Sequence, residues 1–550
     1  MKKILLLTAL LISVSVMAQT TWTGDTDTSW TDSSNWDNGA PALVFYNATI
    51  TIPSSGITNF PTLSSDQLQA GDIDIESGAT LTITGGSINH VSGTITNNGS
   101  IELNSGSSLM SVATISGSGT FKYNRTLSVT DEFYAISAPV SGQDIDTFIS
   151  AEPIAQNGSN MGLGTYTTSS DSYTYIQSGA SGSGNFTSGK GYIVRVSSTG
   201  DLSFTGNNPS VTTVNFALDF TGSGDNARYN LVGNPWPSFL KTGGTDFLND
   251  NSTKLTSEQI WLWDAATGAY VTRVTANGFN IAPGQAFFVQ AKAGASGNLA
   301  FDTSHRQVGI GDTFRNSVEN NFEVYLNISN ESTNRTAEVY YISGTTTGFD
   351  NGFDGTLFGL QNNDLAIYTA HDSEENDSEM KLSIQSIPEM SHVVPVGINA
   401  FEGTEFTISA TTLNRPEGYN VYLEDRDNNT FTLLDETSDF TTTVSSNLNG
   451  TGRFFLHTTA STMSNGDAST NLLNVFKLDR DNFITVEGLA TQSNQTILKL
   501  YNLLGKEVLS TTLANNTNSE MISTEGLSTG IYVIKLESGN DLLTKKLIIK

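Results

Sequence analysis

Along most of the chain, apolar residues alternate with Thr, Ser, Asn and Asp in short runs, and Gly-rich turns separate the runs. A period of two puts every second side chain on one face of a strand. The pattern predicts an all-β, multi-domain protein, with one short helical turn at "DFLNDNS" near Asp246. At 550 residues the chain is too long for a single core.

The runs differ by region. Between residues 72 and 121, strands such as Ile73-Asp74-Ile75, Leu81-Thr82-Ile83 and Ile101-Glu102-Leu103 follow one another across "SG", "GG" and "NNG" turns. Apolar positions recur every six to eight residues there. This predicts a small N-terminal β-solenoid over residues 19–124, each coil burying its apolar side on the next; a meandering antiparallel sheet is the alternative. The turns lack the repeated Asp of a calcium-binding nonapeptide array. Residues 125–310 carry longer, more aromatic strands and predict a β-sandwich region. In "IWLWD", Ile260 and Leu262 alternate with Trp261 and Trp263, so both faces of that strand need cover or contact. "GNPWP" forces a turn, because Pro235 and Pro237 each restrict the residue before them. Residues 311–460 hold eight strand candidates, among them "FEVYLNIS", "TEFTISA" and "GRFFLHTTA", spaced as in a β-sandwich or jelly roll. A polar linker is expected at 461–470. Residues 471–550 contain short strands of an immunoglobulin-like sheet pair, with Gly505 and Lys506 at a hairpin turn where Gly505 supplies positive φ.

Composition agrees with this reading. There are 51 Gly, only 15 % of residues are charged, and 37 % are hydrophobic, which sets the chain apart from disordered sequences. Absence of Cys excludes disulfides, thiolate catalysis and Cys-based metal centres. Residues 1–18 read as a secretory signal peptide: Lys2 and Lys3, an apolar run, then Val16-Met17-Ala18, with cleavage expected between Ala18 and Gln19. No later segment is apolar enough for a transmembrane helix.

Formal net charge is −29, or −31 without Lys2 and Lys3. Residues 471–550 hold eight basic and eight acidic side chains, so the preceding region carries the whole excess. Such a field repels nucleic acid and anionic membranes. The step in charge supports a domain boundary at the linker.

Candidate chemistry is sparse. The five His residues show no zinc-binding spacing, and neither a GxSxG elbow nor a P-loop is present. No catalytic constellation emerges, and a non-enzymatic role is expected. No cofactor is expected either, with Ca²⁺ the one candidate. "GFDNGFDG" offers Asp350 and Asp354, and "EDRDNNT" offers Asp425, Asp427 and Asn429 as oxygen ligands. Asp and Asn equally favour plain turns, and that reading is preferred for both loops. Trp22, Trp30 and Trp36, and separately Trp261 and Trp263, could form stacking platforms for glycans. The competing reading for the first three is a cap on the open end of a β-core, and burial statistics favour it.

The final segments carry a resemblance. "LKLYNLLGKEVL" (498–509), "LSTGIYVIKL" (527–536) and "TKKLIIK" (544–550) resemble the type A sorting domain of Bacteroidetes proteins exported by the type IX secretion system. Tyr501, Gly505, Lys506, Gly530, Tyr532, Lys545 and Lys546 fall in its motifs. The usual "PNP" opening is replaced by "NLLNVFKLDRDN". The resemblance implies passage through the periplasm to a secreted or outer-membrane-surface location. It also implies contact with the secretion machinery and its surface protease, and release or attachment to surface lipopolysaccharide.

The expected function is that of an adhesive or structural β-rich surface protein. The alternatives are a glycan-binding protein and a secreted glycoside hydrolase whose paired carboxylates converge only in the fold. Deletion of residues 471–550 is expected to trap the protein in the periplasm, as read by fractionation; normal export of the truncated chain would refute the sorting assignment.

Overall fold

The computed structural model describes residues 19–44, 49–64, 66–223, 227–243, 246–309, 321–359, 365–371, 380–435, 437–460, 474–476, 483–489, 494–502, 505–514, 519–524, 526–539 and 541–549. The expected signal peptide, Ala18 included, and the expected linker at 461–470 lie outside the described residues; Gln19 is the first described and is exposed. The chain divides into two compact units. One comprises residues 1–320 with 348–361 and 382–386, the other residues 321–347, 362–381 and 387–550.

The first unit begins with a β-solenoid whose strands pair in parallel. Thr49–Ile52, Asp72–Ile75 and Ile95–Asn97 form one stack. Gln67–Ala70, Ser87–His90 and Ser108–Ser111 form a second. Thr62–Ser64, Thr80–Thr84, Ser100–Leu103 and Thr120–Leu127 form a third. Each coil thus contains one strand from each stack, and partners on successive coils lie between 20 positions apart (Thr80 with Ser100) and 23 (Thr49 with Asp72). The six-to-eight-residue recurrence in the sequence is the spacing between strands of one coil; the structural repeat is the whole coil.

This register stacks like on like. Leu81, Ile101 and Phe121 form one internal column, and Leu63, Ile83, Leu103 and Tyr123 another, all essentially unexposed. Each such side chain contributes roughly 1.5–3 kcal/mol on burial. The corners are tight: a Cβ on Gly99 would collide with the carbonyl oxygens of Ala79 and Glu76. Strand Thr120–Leu127 crosses the expected boundary at residue 124, and pairs antiparallel with Gly200–Asn207. The solenoid core accordingly continues into Phe148, Phe186 and Phe204.

The rest of this unit is antiparallel. A four-stranded sheet runs Tyr229–Gly233, Ala286–Gln290, Gln259–Asp264, Ala269–Val274. Its one face buries Val232, Ile260, Leu262, Phe287 and Val289, its other Leu231, Trp261 and Phe288. The alternation of "IWLWD" required cover on two sides, and both are covered. The "GNPWP" turn is built around buried Asn234, whose side-chain amide donates to the carbonyls of Ser238 (2.7 Å) and Ile281 (3.1 Å) and whose Oδ1 accepts from the Trp236 N–H.

In the second unit, Phe322–Ser329 lies between Asn334–Tyr341 and Glu405–Leu413, with Phe440–Thr443 beyond. A second run goes Ala366–Thr369, Val394–Ala400, Leu448–Thr459, Asn420–Asp425, Thr430–Leu433. The two runs share one core that includes Val324, Leu326, Ile328, Val396, Leu423, Phe454 and Leu456. Residues 474–549 form a three-stranded and a four-stranded antiparallel sheet around their own core, with Ile484 and Val486 from one and Leu498, Leu500, Ile534 and Leu536 from the other.

Ile101→Ala, in the middle of its column, is expected to cost about 2–5 kcal/mol. Thr82→Ala on the outer face of the neighbouring strand is expected to stay within about 0.5 kcal/mol. Chemical denaturation of the two variants beside the parent checks the contrast.

Candidate functional site

The three N-terminal Trp residues form a plug at the first solenoid coil. Thr20–Thr21 pairs in parallel with Thr49–Ile52, which extends the stack by a partial coil. Trp36 sits between Trp22 and Trp30, edge-on to each at 5.0 Å between ring centroids. Trp22 donates through Nε1 to the Asn59 carbonyl at 2.6 Å, and Trp36 to the Trp30 carbonyl at 2.8 Å. Relative exposures are 0 %, 1 % and 4 % for Trp22, Trp30 and Trp36, so none offers a ring face to a sugar. Buried Asn35 holds the loop closed, accepting from the Thr26 and Asp27 N–H groups and donating to the Asp27 carboxylate. The stacking platform at these positions is therefore corrected to a cap: an open solenoid end must be covered, and three interlocked indoles do so.

Trp261 is likewise removed from solvent, at 1 % exposure, and donates to the Thr356 carbonyl at 2.9 Å. Its ring packs on Tyr229 and on Phe358, with centroids at 5.3 and 5.1 Å. Phe358 also lies against Tyr229, Tyr270 and Phe288. Trp263 is half-buried and meets Tyr270 edge-on at 4.9 Å. Tyr270 in turn reaches the Tyr173 hydroxyl at 3.5 Å. Of the expected platform residues, only Trp263 retains partial access to solvent.

The loop "GFDNGFDG" serves to anchor Phe358 and its neighbours within the first unit. Asp354 is fully buried; its carboxylate accepts from the Asp350 N–H at 2.7 Å and the Ser386 N–H at 2.6 Å. Asn351 accepts from the Glu258 N–H at 2.9 Å. The two Asp residues proposed from sequence as cation ligands are thus brought together, but Asp354 faces backbone donors.

The second acidic loop is neutralised by a side chain that the local sequence did not indicate. Asp425, 1 % exposed, receives a two-pronged contact from Arg453: Nε to Oδ1 at 2.9 Å and Nη2 to Oδ2 at 2.8 Å. The Asn428 side-chain amide and the Asp427 N–H also donate to this carboxylate. Burial alone would raise the Asp425 carboxyl, yet these hydrogen bonds, Arg453 foremost, hold it below the usual carboxylate range. Asp427 lies 3.6 Å from Arg453, and exposed Asn429 takes a left-handed turn conformation at φ 51°. Beside them Glu424 accepts from His457 at 2.8 Å and from Arg426 at 3.2 Å. Burial pushes the Glu424 carboxyl up, but these two partners outweigh it. Both loops therefore read as turns built on local and tertiary hydrogen bonds. Among the described residues, no three His, Cys, Asp or Glu side chains converge as a metal cage.

In the C-terminal domain, Gly505 has φ 75° and closes the hairpin by donating to the Asn502 carbonyl at 2.9 Å. Lys506 donates its backbone N–H to the Asn502 side chain. Tyr501 pairs with Val533 across the sheet, Gly530 opens the next strand, and Tyr532 is buried with its hydroxyl donating to the Ser528 carbonyl at 2.7 Å. Lys545 and Lys546 are exposed on the last strand, opposite Ile534 and Val533. The described motif residues fall on the two central strands, on one edge strand and on a hairpin turn of the four-stranded sheet.

Two family models match the chain. The family described as "Domain of unknown function (DUF8693)" matches residues 21–279 and 265–457. The "Secretion system C-terminal sorting domain" matches residues 481–550. The chain is accordingly an exported cargo of the type IX secretion system, destined for the cell surface or the medium. No curated protein matches the chain. Among solved structures, "Biofilm associated protein - BSP domain" aligns over 78 % of this chain and 92 % of its own, at 8 % identity and a TM-score of 0.17, too low to bear on fold or function. No helix among the described residues is long and apolar enough to cross a membrane.

Arg453→Ala leaves the Asp425 carboxylate buried without its cation, and is expected to cost about 3–5 kcal/mol near neutral pH. In the parent, the depressed Asp425 pKa contributes stability that is present above the ordinary Asp value of about 3.9 and lost as pH falls through the lower folded value. The gap between parent and variant should hence be smallest in acid and widen as pH rises through that range, which denaturation at several pH values will read out.

Proposed function

The chain belongs to the family described as a domain of unknown function, DUF8693, and from this membership and its sorting domain we propose that it is a non-enzymatic adhesive or structural protein of the bacterial surface. The supporting observation is how its conspicuous side chains are used. The Trp cluster closes the solenoid, Trp261 and Phe358 fill a core, and Asp354 and Asp425 are occupied by backbone donors and by Arg453. Each of these groups is used for packing or turn structure inside its own β module, and a chain of β modules whose conspicuous side chains are spent in this way suits attachment or matrix contact.

A comparison of attachment tests this reading. Cells lacking the chain should adhere less to surfaces and to one another than cells displaying it. Unchanged attachment, or polysaccharide cleavage by the purified protein, would overturn it.

One observation favours glycan binding as a second reading. Trp263 and Tyr270 are only partly buried and stand edge to face beside Tyr173. On a glycan array the parent should then give binding that Trp263→Ala and Tyr270→Ala each reduce at least tenfold; equal signals from all three proteins would dismiss it.

A further inference from the structure

Strand Ser108–Ser111 is held from two regions of the first unit. Within the solenoid it pairs in parallel with Ser87–His90, which pairs in turn with Gln67–Ala70. The sheets that follow the solenoid bind it as well. The Leu109 N–H donates to the Pro237 carbonyl at 2.8 Å. Ser108 Oγ donates to the Gly309 carbonyl at 2.6 Å and accepts from the Gly309 N–H at 2.9 Å. Arg306 Nη1 donates to the Ser111 carbonyl at 2.9 Å. His90 stands at this junction. It is fully buried, and its Nδ1 lies 2.7 Å from Ser111 Oγ.

The hydrogen bonds fix the form of the ring. A hydroxyl has one proton to give. Ser111 gives it to the Ala113 carbonyl at 2.6 Å, so between Ser111 and His90 the donor is the Nδ1–H. A neutral imidazole carries only that one N–H, which leaves Nε2 bare. Nε2 is buried and has no hydrogen-bond partner. A second proton would have to settle there. His305 and His457 differ: each sets Nε2 against a carboxylate, Asp250 at 2.9 Å and Glu424 at 2.8 Å.

We propose that His90 is an acid-sensitive latch: proton uptake at Nε2 loosens Ser108–Ser111, and with it the joint between the solenoid and the sheets that follow. The flanking strands Gln67–Ala70 and Ser108–Ser111 contain no charged residue. Asp72 favours the charged ring, but its Oδ1 already accepts from the Thr94 N–H (2.7 Å) and hydroxyl (3.2 Å). Arg306, a permanent cation, binds the same serine as His90, so protonation sets two positive groups on Ser111. Burial pushes His90 below the usual imidazole range, outweighing Asp72 and the Ser92 backbone, which favour the charged form. An unfolded His takes up its proton near pH 6.5. The latch therefore has its full stability above about pH 6.5 and loses it as pH falls from there toward the lower folded value. An exported chain faces the pH of its surroundings directly.

Hydrogen exchange on the full-length chain tests the latch. After correction for intrinsic rates, amides of residues 108–113 should exchange at least tenfold faster at about pH 5 than at about pH 7.5. His90→Asn keeps a donor for Ser111 and cannot titrate, so its exchange there should be the same at both values. An equal acid response in variant and parent, or none in the parent, would sink the proposal. If His90→Asn does not fold, the parent alone decides. With its histidines labelled with ¹⁵N, the His90 ring should stay neutral and Nδ1-protonated at about pH 6, where an exposed His is mostly charged. A His90 ring that titrates at or above about pH 6.5 rules the latch out.

Discussion

A single strand cannot bury its own apolar face, and among the described residues this chain is nearly all strand and turn. Cover is the constraint on which its architecture depends. In the solenoid each coil covers the next, so Ile101 sits between Leu81 and Phe121 and none of the three meets water. That arrangement leaves two exposed ends. The first is closed by Trp22, Trp30 and Trp36; at the other, Gly200–Asn207 reverses direction and joins the last long strand antiparallel. The same demand recurs in the sheet holding "IWLWD", where apolar residues face both ways and two separate clusters cover them.

Cover also explains why chain order and spatial order part company. Phe358 is distant in sequence from Trp261 and Tyr229, yet its ring fills the space between them. For the ring to stay there, the loop before it must be fixed. Asp354 does this by binding the backbone of Asp350 and Ser386, and Asn351 by binding that of Glu258. An acidic, glycine-rich loop that resembles a cation site in one dimension is thus a fastener in three.

Much of the fold was legible because β alternation is a local signal. The solenoid, the two-sided strand at Trp261, the cap and the positive φ of Gly505 each follow from residues within a few positions of one another. Interactions spanning longer distances were not legible. Nothing in "EDRDNNT" marks Arg453 as the partner of Asp425, because that pairing depends on Asn420–Asp425 lying beside Leu448–Thr459. The coil length was hidden for a related reason: the sequence displays the spacing of strands, whereas the repeat is fixed by which strands stack. For the candidate site the same division holds. Residue types suited to binding were easy to find, but whether a Trp faces a ligand or a core depends on what the rest of the chain places over it.

Charge separates the regions by another route. Residues 471–550 are balanced, while residues 19–470 carry an excess of 31 negative charges. Acidic surfaces of that density repel one another, which keeps an exported chain soluble but works against any contact between copies.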